Sequence, residues 1–151
     1  MDKQRVDFLL IEDDPEEAEL TIRSLKRSNI ANKVTHLDDG EDALDYLFRR
    51  GKFSGLELAA RPKLILLDLN LPKIGGLDIL KAIKNDPSTK TIPVVVLTSS
   101  KEEKDIIESY KLGVNSYIVK PVNFDSFAKA IEDLKFYWMV LNQLPPETLP
   151  K

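Results

Sequence analysis

Cysteine is absent from the 151 residues, and histidine occurs once, as His36. No disulfide, thiolate metal centre, cysteine nucleophile or histidine-rich metal cage can be built from such a chain. Long apolar runs are also missing: no stretch of the sequence approaches the roughly 20 residues that span a bilayer. Neither sign of charge dominates. The 22 basic and 25 acidic residues leave a net charge of −3, which offers no basic surface for nucleic acid. The start, Met1-Asp2-Lys3-Gln4-Arg5-Val6-Asp7, is charged and lacks the apolar core of a signal peptide. These absences predict a cytoplasmic protein with no nucleic-acid or membrane partner. The composition, 42% hydrophobic and 31% charged, is that of a folded domain rather than a disordered chain. One domain is expected over residues 6–142, followed by an irregular tail, 143–151, that holds three prolines.

What the chain does contain is an alternation. Short apolar runs, Phe8-Leu9-Leu10-Ile11, Val34 to Leu37, Leu64-Ile65-Leu66-Leu67, Ile92 to Leu97 and Ser116 to Val119, read as five strands. Between them lie stretches with helical spacing: Ala18, Ile22 and Leu25; Ala43, Leu44 and Leu47; Leu77, Leu80 and Ile83. Asp14-Pro15-Glu16-Glu17 has the form of a helix start, with a cap, a proline in first position and an acid at the third. Ser100-Lys101-Glu102-Glu103 has the form of a capping box for the next helix. Asp39-Gly40 opens another, and Asn123 can cap a last one reaching about Leu141. Gly51 to Pro62 is a long connection with room for a turn of helix. Runs that are continuously apolar, rather than alternating, predict strands covered by helices on both faces. The expected fold is α/β: a doubly wound (βα)₅ sandwich around a five-stranded parallel sheet.

In such sheets ligands bind beyond the carboxyl ends of the strands. The first polar residues after the apolar runs are Glu12 and Asp13, Asp68, Thr98 and Lys120. Taken singly, an acid after a strand is a helix cap, Thr98 another cap and Lys120 a solvated surface lysine. Together they occupy one rim. Acids gathered there repel one another, and a divalent cation with hard oxygen ligands, Mg²⁺ or Mn²⁺, relieves that repulsion. A carboxylate beside such an ion is a nucleophile suited to a phosphoryl group, with Lys120 and the Thr98 hydroxyl to bind the phosphoryl oxygens.

From about Val6 to Leu141 the sequence resembles the receiver domains of bacterial response regulators. The likeness is carried by Leu9-Leu10-Ile11-Glu12-Asp13-Asp14, Leu67-Asp68-Leu69-Asn70-Leu71-Pro72 with Gly75-Gly76, Val96-Leu97-Thr98-Ser99 and Tyr117-Ile118-Val119-Lys120-Pro121. It implies a flavodoxin-like strand order 2-1-3-4-5 and a signalling role. The protein would catalyse only its own phosphorylation and dephosphorylation. By the same resemblance Asp68 is the phosphoacceptor. Asp13, Asp68 and the Asn70 backbone carbonyl bind Mg²⁺, and Glu12, where the family often has aspartate, acts through a metal-bound water. Lys120 grips the phosphoryl group, the bond to Pro121 is cis, and Thr98 and Tyr117 form the switch. Asp68-Leu69-Asn70-Leu71-Pro72-Lys73, Ser109-Tyr110-Lys111-Leu112-Gly113-Val114-Asn115-Ser116-Tyr117 and Lys120-Pro121-Val122 are similar to the small response regulators paired with phytochrome-type histidine kinases. That likeness implies a light-sensing histidine kinase as partner.

The last predicted helix carries more apolar surface than one sheet can cover. Phe127, Ile131, Leu134, Trp138 and Leu141 form one stripe, and Phe136, Tyr137, Met139 and Val140 lie off it. A homodimer through Phe127, Phe136, Tyr137, Trp138, Met139 and Val140 is expected, with the competing reading that the tail folds over them. His36 reads as structural. A haloacid dehalogenase-type phosphatase also uses an aspartate nucleophile, but needs a second acid two residues later, where this chain has Asn70. A shuttle or sink in a phosphorelay remains an alternative of the same fold, as does a receiver that has lost phosphorylation, against which the intact site argues.

Overall fold

In the computed structural model, residues 6–27, 31–55 and 61–120 are described, with 123, 125, 126 and 129 beyond them. The elements alternate in the order β1 (Val6–Ile11), α1 (Pro15–Arg27), β2 (Ala31–Leu37), α2 (Gly40–Phe48), β3 (Leu64–Leu67), α3 (Gly76–Asn85), β4 (Val94–Thr98), α4 (Glu103–Lys111) and β5 (Ser116–Val119). The strands form one sheet in the order β2-β1-β3-β4-β5, and every pairing is parallel. This is the expected doubly wound arrangement. No helix among the described residues is long and apolar enough to cross a membrane.

The apolar runs divide by residue parity, because successive strand side chains point to opposite faces. Leu9, Ile11, Ile65, Leu67, Val94 and Val96 pack with Ala43 and Leu47 of α2 and Ile79, Leu80 and Ile83 of α3. Phe8, Leu10, Leu64, Leu66, Val95 and Leu97 pack on the other face with Ala18 and Leu25 of α1. Two separate cores, one per face, are why the runs contain no polar alternation. On α3 the buried positions are Gly76, Ile79, Leu80 and Ile83; Leu77, expected to face inward, is only half-buried.

The helix starts follow the sequence in three cases and depart from it in one. Asp14 accepts the backbone N–H groups of Glu16 and Glu17 at 2.9 and 3.3 Å, and Asp39 accepts that of Asp42 at 2.8 Å. Ser100 does not cap α4 in the expected way. The helix begins later, at Glu103 behind Glu102. The Ser100 hydroxyl instead accepts the Glu102 N–H at 3.3 Å and donates to Asp105 at 2.6 Å. The Ser100 N–H donates to the Thr98 hydroxyl at 3.3 Å, which keeps this residue in the loop that follows β4. β2 begins at Ala31, three residues before the apolar run at Val34, and the 51–62 connection does hold one 3₁₀ turn, Gly51–Phe53. Ser126 N–H donates to Asn123 at 3.1 Å, as expected for a cap there. The rest of the predicted last helix with its six interface residues, the Pro121 peptide bond and the 143–151 tail lie outside the described residues.

Gly76 is where the fold has least room. A Cβ there would stand 2.4 Å from the Leu69 Cα and 2.5 Å from the Asp68 carbonyl oxygen. Helix α3 thus rests directly on the backbone that carries Asp68, tied by the Gly76 N–H to Leu69 carbonyl bond of 3.0 Å. Backbone cannot yield as a flexible side chain does, so Gly76→Ala is expected to lower stability in urea denaturation by about 3 kcal/mol. A loss below about 1 kcal/mol in that measurement would mean that the contact relaxes freely.

Candidate phosphorylation site

The residues singled out along the sequence meet because the parallel ladders run on past the strand ends. Glu12 N–H donates to the Leu37 carbonyl at 3.1 Å, Asp68 N–H to the Ile11 carbonyl at 3.0 Å, and Lys120 N–H to the Thr98 carbonyl at 2.8 Å. Each polar residue is therefore held in register with its neighbour at one edge of the sheet. Carboxylate oxygens of Glu12, Asp13 and Asp68 all lie within 4.8 Å of one another. Glu12 and Asp68 are buried, and Asp13 is exposed.

Lys120 Nζ stands 2.7 Å from Glu12 Oε1, 3.4 Å from Asp68 Oδ2 and 3.6 Å from Glu17 Oε1. Burial works against its ammonium. The hydrogen bond to Glu12 and the charges of Asp68, Glu12 and Glu17 outweigh burial and hold its pKa above the ordinary lysine value. Glu12 is pushed up to about 7, first by burial and then by the Asp68 charge, against the opposing bond from Lys120. A buried carboxyl with a carboxylate beside it is the electrostatic signature of a place for added positive charge.

Thr98 is fully buried, and its hydroxyl accepts from the Asn70 side-chain amide at 3.4 Å and from Ser100 N–H at 3.3 Å. The same Asn70 amide reaches the exposed Ser99 hydroxyl at 3.3 Å. Asn70 N–H donates to Asp68 Oδ1 at 3.1 Å, so the loop after β3 fixes the orientation of that carboxylate. Tyr117, half-buried on β5, donates its hydroxyl to the Ser100 carbonyl at 3.0 Å. Burial, opposed by the Ser100 side chain and aided by the charges of Asp105, Asp68 and Glu102, raises its pKa, and the phenol stays a neutral donor.

One residue at the site, Glu17, escaped the sequence reading. Glu17 sits inside a helix among other acids, Glu16 and Glu19, and nothing in spacing separates it from a solvated helix-start acid. Only the packing of α1 across the sheet edge brings it to Lys120. His36 holds the Glu12 backbone from β2, with Nε2 2.7 Å from the Glu12 carbonyl oxygen. A carbonyl only accepts, which assigns the proton to Nε2. Its role is structural, and it adjoins the site through register alone.

A family model for the response regulator receiver domain matches residues 8–132. The chain belongs to the response regulator receiver domain family, the phosphorylation-activated switches of two-component signalling. Among curated receivers, the response regulator Rcp1 of Synechocystis sp. is 42% identical over 138 residues, 91% of this chain and 92% of Rcp1. The Mn²⁺-bound crystal structure of Rcp1 superposes with a TM-score of 0.77, covering 93% of this chain and 99% of that one. The bacteriophytochrome response regulator RtBRR is 49% identical with a TM-score of 0.78, covering 95% and 86% of the two chains. A probable methanogenesis regulatory protein of Methanothrix harundinacea, FilR2, is 39% identical over 91% of this chain and 86% of its own. Small single-domain receivers thus match this one along nearly their whole length.

The raised pKa of Glu12 has a consequence for stability without divalent cations. Its folded value, about 7, exceeds the ordinary 4.5 expected in the unfolded chain. The native state therefore holds the proton more tightly. Its contribution is fully present below pH about 4.5 and is lost as pH rises through about 7. Measured in EDTA by chemical denaturation, the stability of wild type relative to Glu12→Gln should fall by at most about 3 kcal/mol across that window. A difference that does not change with pH would contradict the assignment.

Proposed function

We propose that Asp68 accepts a phosphoryl group with Mg²⁺ bound at the acidic rim, and that this phosphorylation switches the protein. The observation that carries the reading is the convergence on Asp68: the Lys120 ammonium at 3.4 Å, two further carboxylates within 4.8 Å, and Asn70 linking the Asp68 loop to Thr98. Asp13, Asp68 and the Asn70 backbone carbonyl would hold the ion, with Glu12 acting through a bound water. The donors are all oxygen, which suits Mg²⁺ or Mn²⁺, and the raised pKa of Glu12 fits a site completed by a cation. When bound, the ion would neutralise charge on the transferring oxygens.

The chain's own groups supply the rest. Asp68 attacks phosphorus with a carboxylate oxygen; the new O–P bond replaces the P–N bond of a phosphohistidine, whose imidazole leaves and takes up a proton. Lys120 binds a phosphoryl oxygen as an ammonium. The Thr98 hydroxyl, now an acceptor from Asn70 and Ser100, turns to donate to another. That movement frees the Ser100 N–H and shifts the β4–α4 loop whose carbonyl holds Tyr117. Thr98 and Tyr117 thereby couple phosphate to the surface of α4 and β5.

The donor is a sensor histidine kinase, of phytochrome type on the likeness to RtBRR and on the motif Lys120-Pro121-Val122. The setting is the cytoplasm, and output passes through protein contacts. A homodimer through the 127–140 stretch belongs to the same proposal. Incubation with acetyl phosphate and Mg²⁺ should add one hydroxylamine-sensitive phosphoryl group to wild type and none to Asp68→Asn. Labelling that survives in the variant would remove the assignment. Sedimentation at tens of micromolar should give a dimer, and a monomer with and without beryllofluoride would end the dimer reading.

A further inference from the structure

The Lys120 ammonium faces three carboxylates in this structure: it donates to Glu12 at 2.7 Å and Asp68 at 3.4 Å, and forms an ion pair with Glu17 at 3.6 Å. A phosphoryl group arriving at Asp68 enters the space that these carboxylates share around the ammonium. Glu12 and Asp68 are nearly inaccessible, their side chains 4% and 7% exposed, whereas the Glu17 side chain is 45% exposed. Glu17 is thus the partner on the solvent side, from which a donor arrives, and it makes the longest of the three contacts. Its position is not accidental to α1. The Asp14 carboxylate pins the Glu17 N–H at 3.3 Å, and the Thr21 hydroxyl donates to the Glu17 carbonyl at 2.9 Å, so the first turn holds Glu17 facing β5.

We infer that Glu17 is a specificity-determining residue that competes with incoming phosphoryl anions for the Lys120 ammonium and so slows phosphorylation by small free phosphodonors. This rests on Asp68 being the phosphoacceptor. The chemistry is electrostatic. A free acyl phosphate must displace Glu17 and tolerate its negative charge beside the transferring oxygens. A docked protein donor brings binding energy from contacts remote from the phosphoryl group to drive the same displacement. Glu17 thereby ties phosphorylation to a docked partner rather than to the pool of small anionic phosphoryl compounds.

The test compares wild type, Glu17→Gln and Glu19→Gln in their rates of labelling by acetyl phosphate at saturating Mg²⁺. Glu19 lies on the same helix, is exposed and pairs with Arg23 at 2.6 Å, so its variant changes net charge equally without touching Lys120. At low salt Glu17→Gln should be labelled roughly fivefold faster than wild type, and Glu19→Gln at the wild-type rate. Because a partly exposed charge is screened, the gain should shrink below about twofold at 0.5 M salt. Beryllofluoride, a phosphoryl mimic, should bind Glu17→Gln tighter by a similar factor. Equal or slower labelling of Glu17→Gln, an equal gain in Glu19→Gln, or a gain indifferent to salt would overturn the inference. A wild type that takes no label would overturn the phosphoacceptor reading itself, and this inference with it.

Discussion

The bond from Lys120 to Glu12, 2.7 Å long and buried at the edge of the sheet, is the interaction on which the site depends. It joins the end of β5 to the end of β1, two strands separated in the sheet by β3 and β4. Without the ammonium, Glu12 and Asp68 would face each other as two buried acids, and one would have to keep its proton. With it, both carboxylates have a hydrogen-bonding cation between them. Breaking such a buried pair from one side costs far more than the net worth of the pair, because the remaining charge stays buried. In the proposed reaction the pair is also exchangeable: each of its members would take a second role once cation and phosphoryl group are present.

That exchangeability would link stability to signalling. The resting site is satisfied internally, by Lys120 on the carboxylates and by Asn70 and Ser100 on Thr98. Phosphorylation would replace those bonds with bonds to phosphoryl oxygens. The released groups are not independent, since Ser100 contacts Thr98, Asp105 and Tyr117 at once. A change in the Thr98 hydroxyl therefore has a path of direct contacts to the start of α4 and to β5. The hydrophobic cores on the two faces of the sheet hold this edge in place.

Much of the site was legible because a parallel sheet obeys a simple rule. An apolar run that stops at a polar residue marks a carboxyl end, and five such ends must share one edge. Glu12, Asp13, Asp68, Thr98 and Lys120 could be gathered from the sequence on that basis. Helix boundaries were less legible where loop hydrogen bonds compete with capping. Ser100 has the spacing of a cap, yet its hydroxyl is engaged by the Glu102 N–H and by Asp105 ahead of the helix start. Leu77 and Ile79 are both apolar, yet the face α3 turns inward carries Gly76, Ile79, Leu80 and Ile83 and leaves Leu77 half-buried.

By itself the sequence determined the element order, the parallel sheet and the list of reactive groups, because periodicity and strand termini are local properties. Only the tertiary structure decided which helix face meets the edge, and so that Glu17 rather than Glu16 or Glu19 reaches Lys120. It likewise decided that Asn70 bridges to Thr98 and that His36 supports Glu12. These contacts join residues from different elements. Their distances follow from how helices and strands pack against one another, which no spacing along the chain encodes.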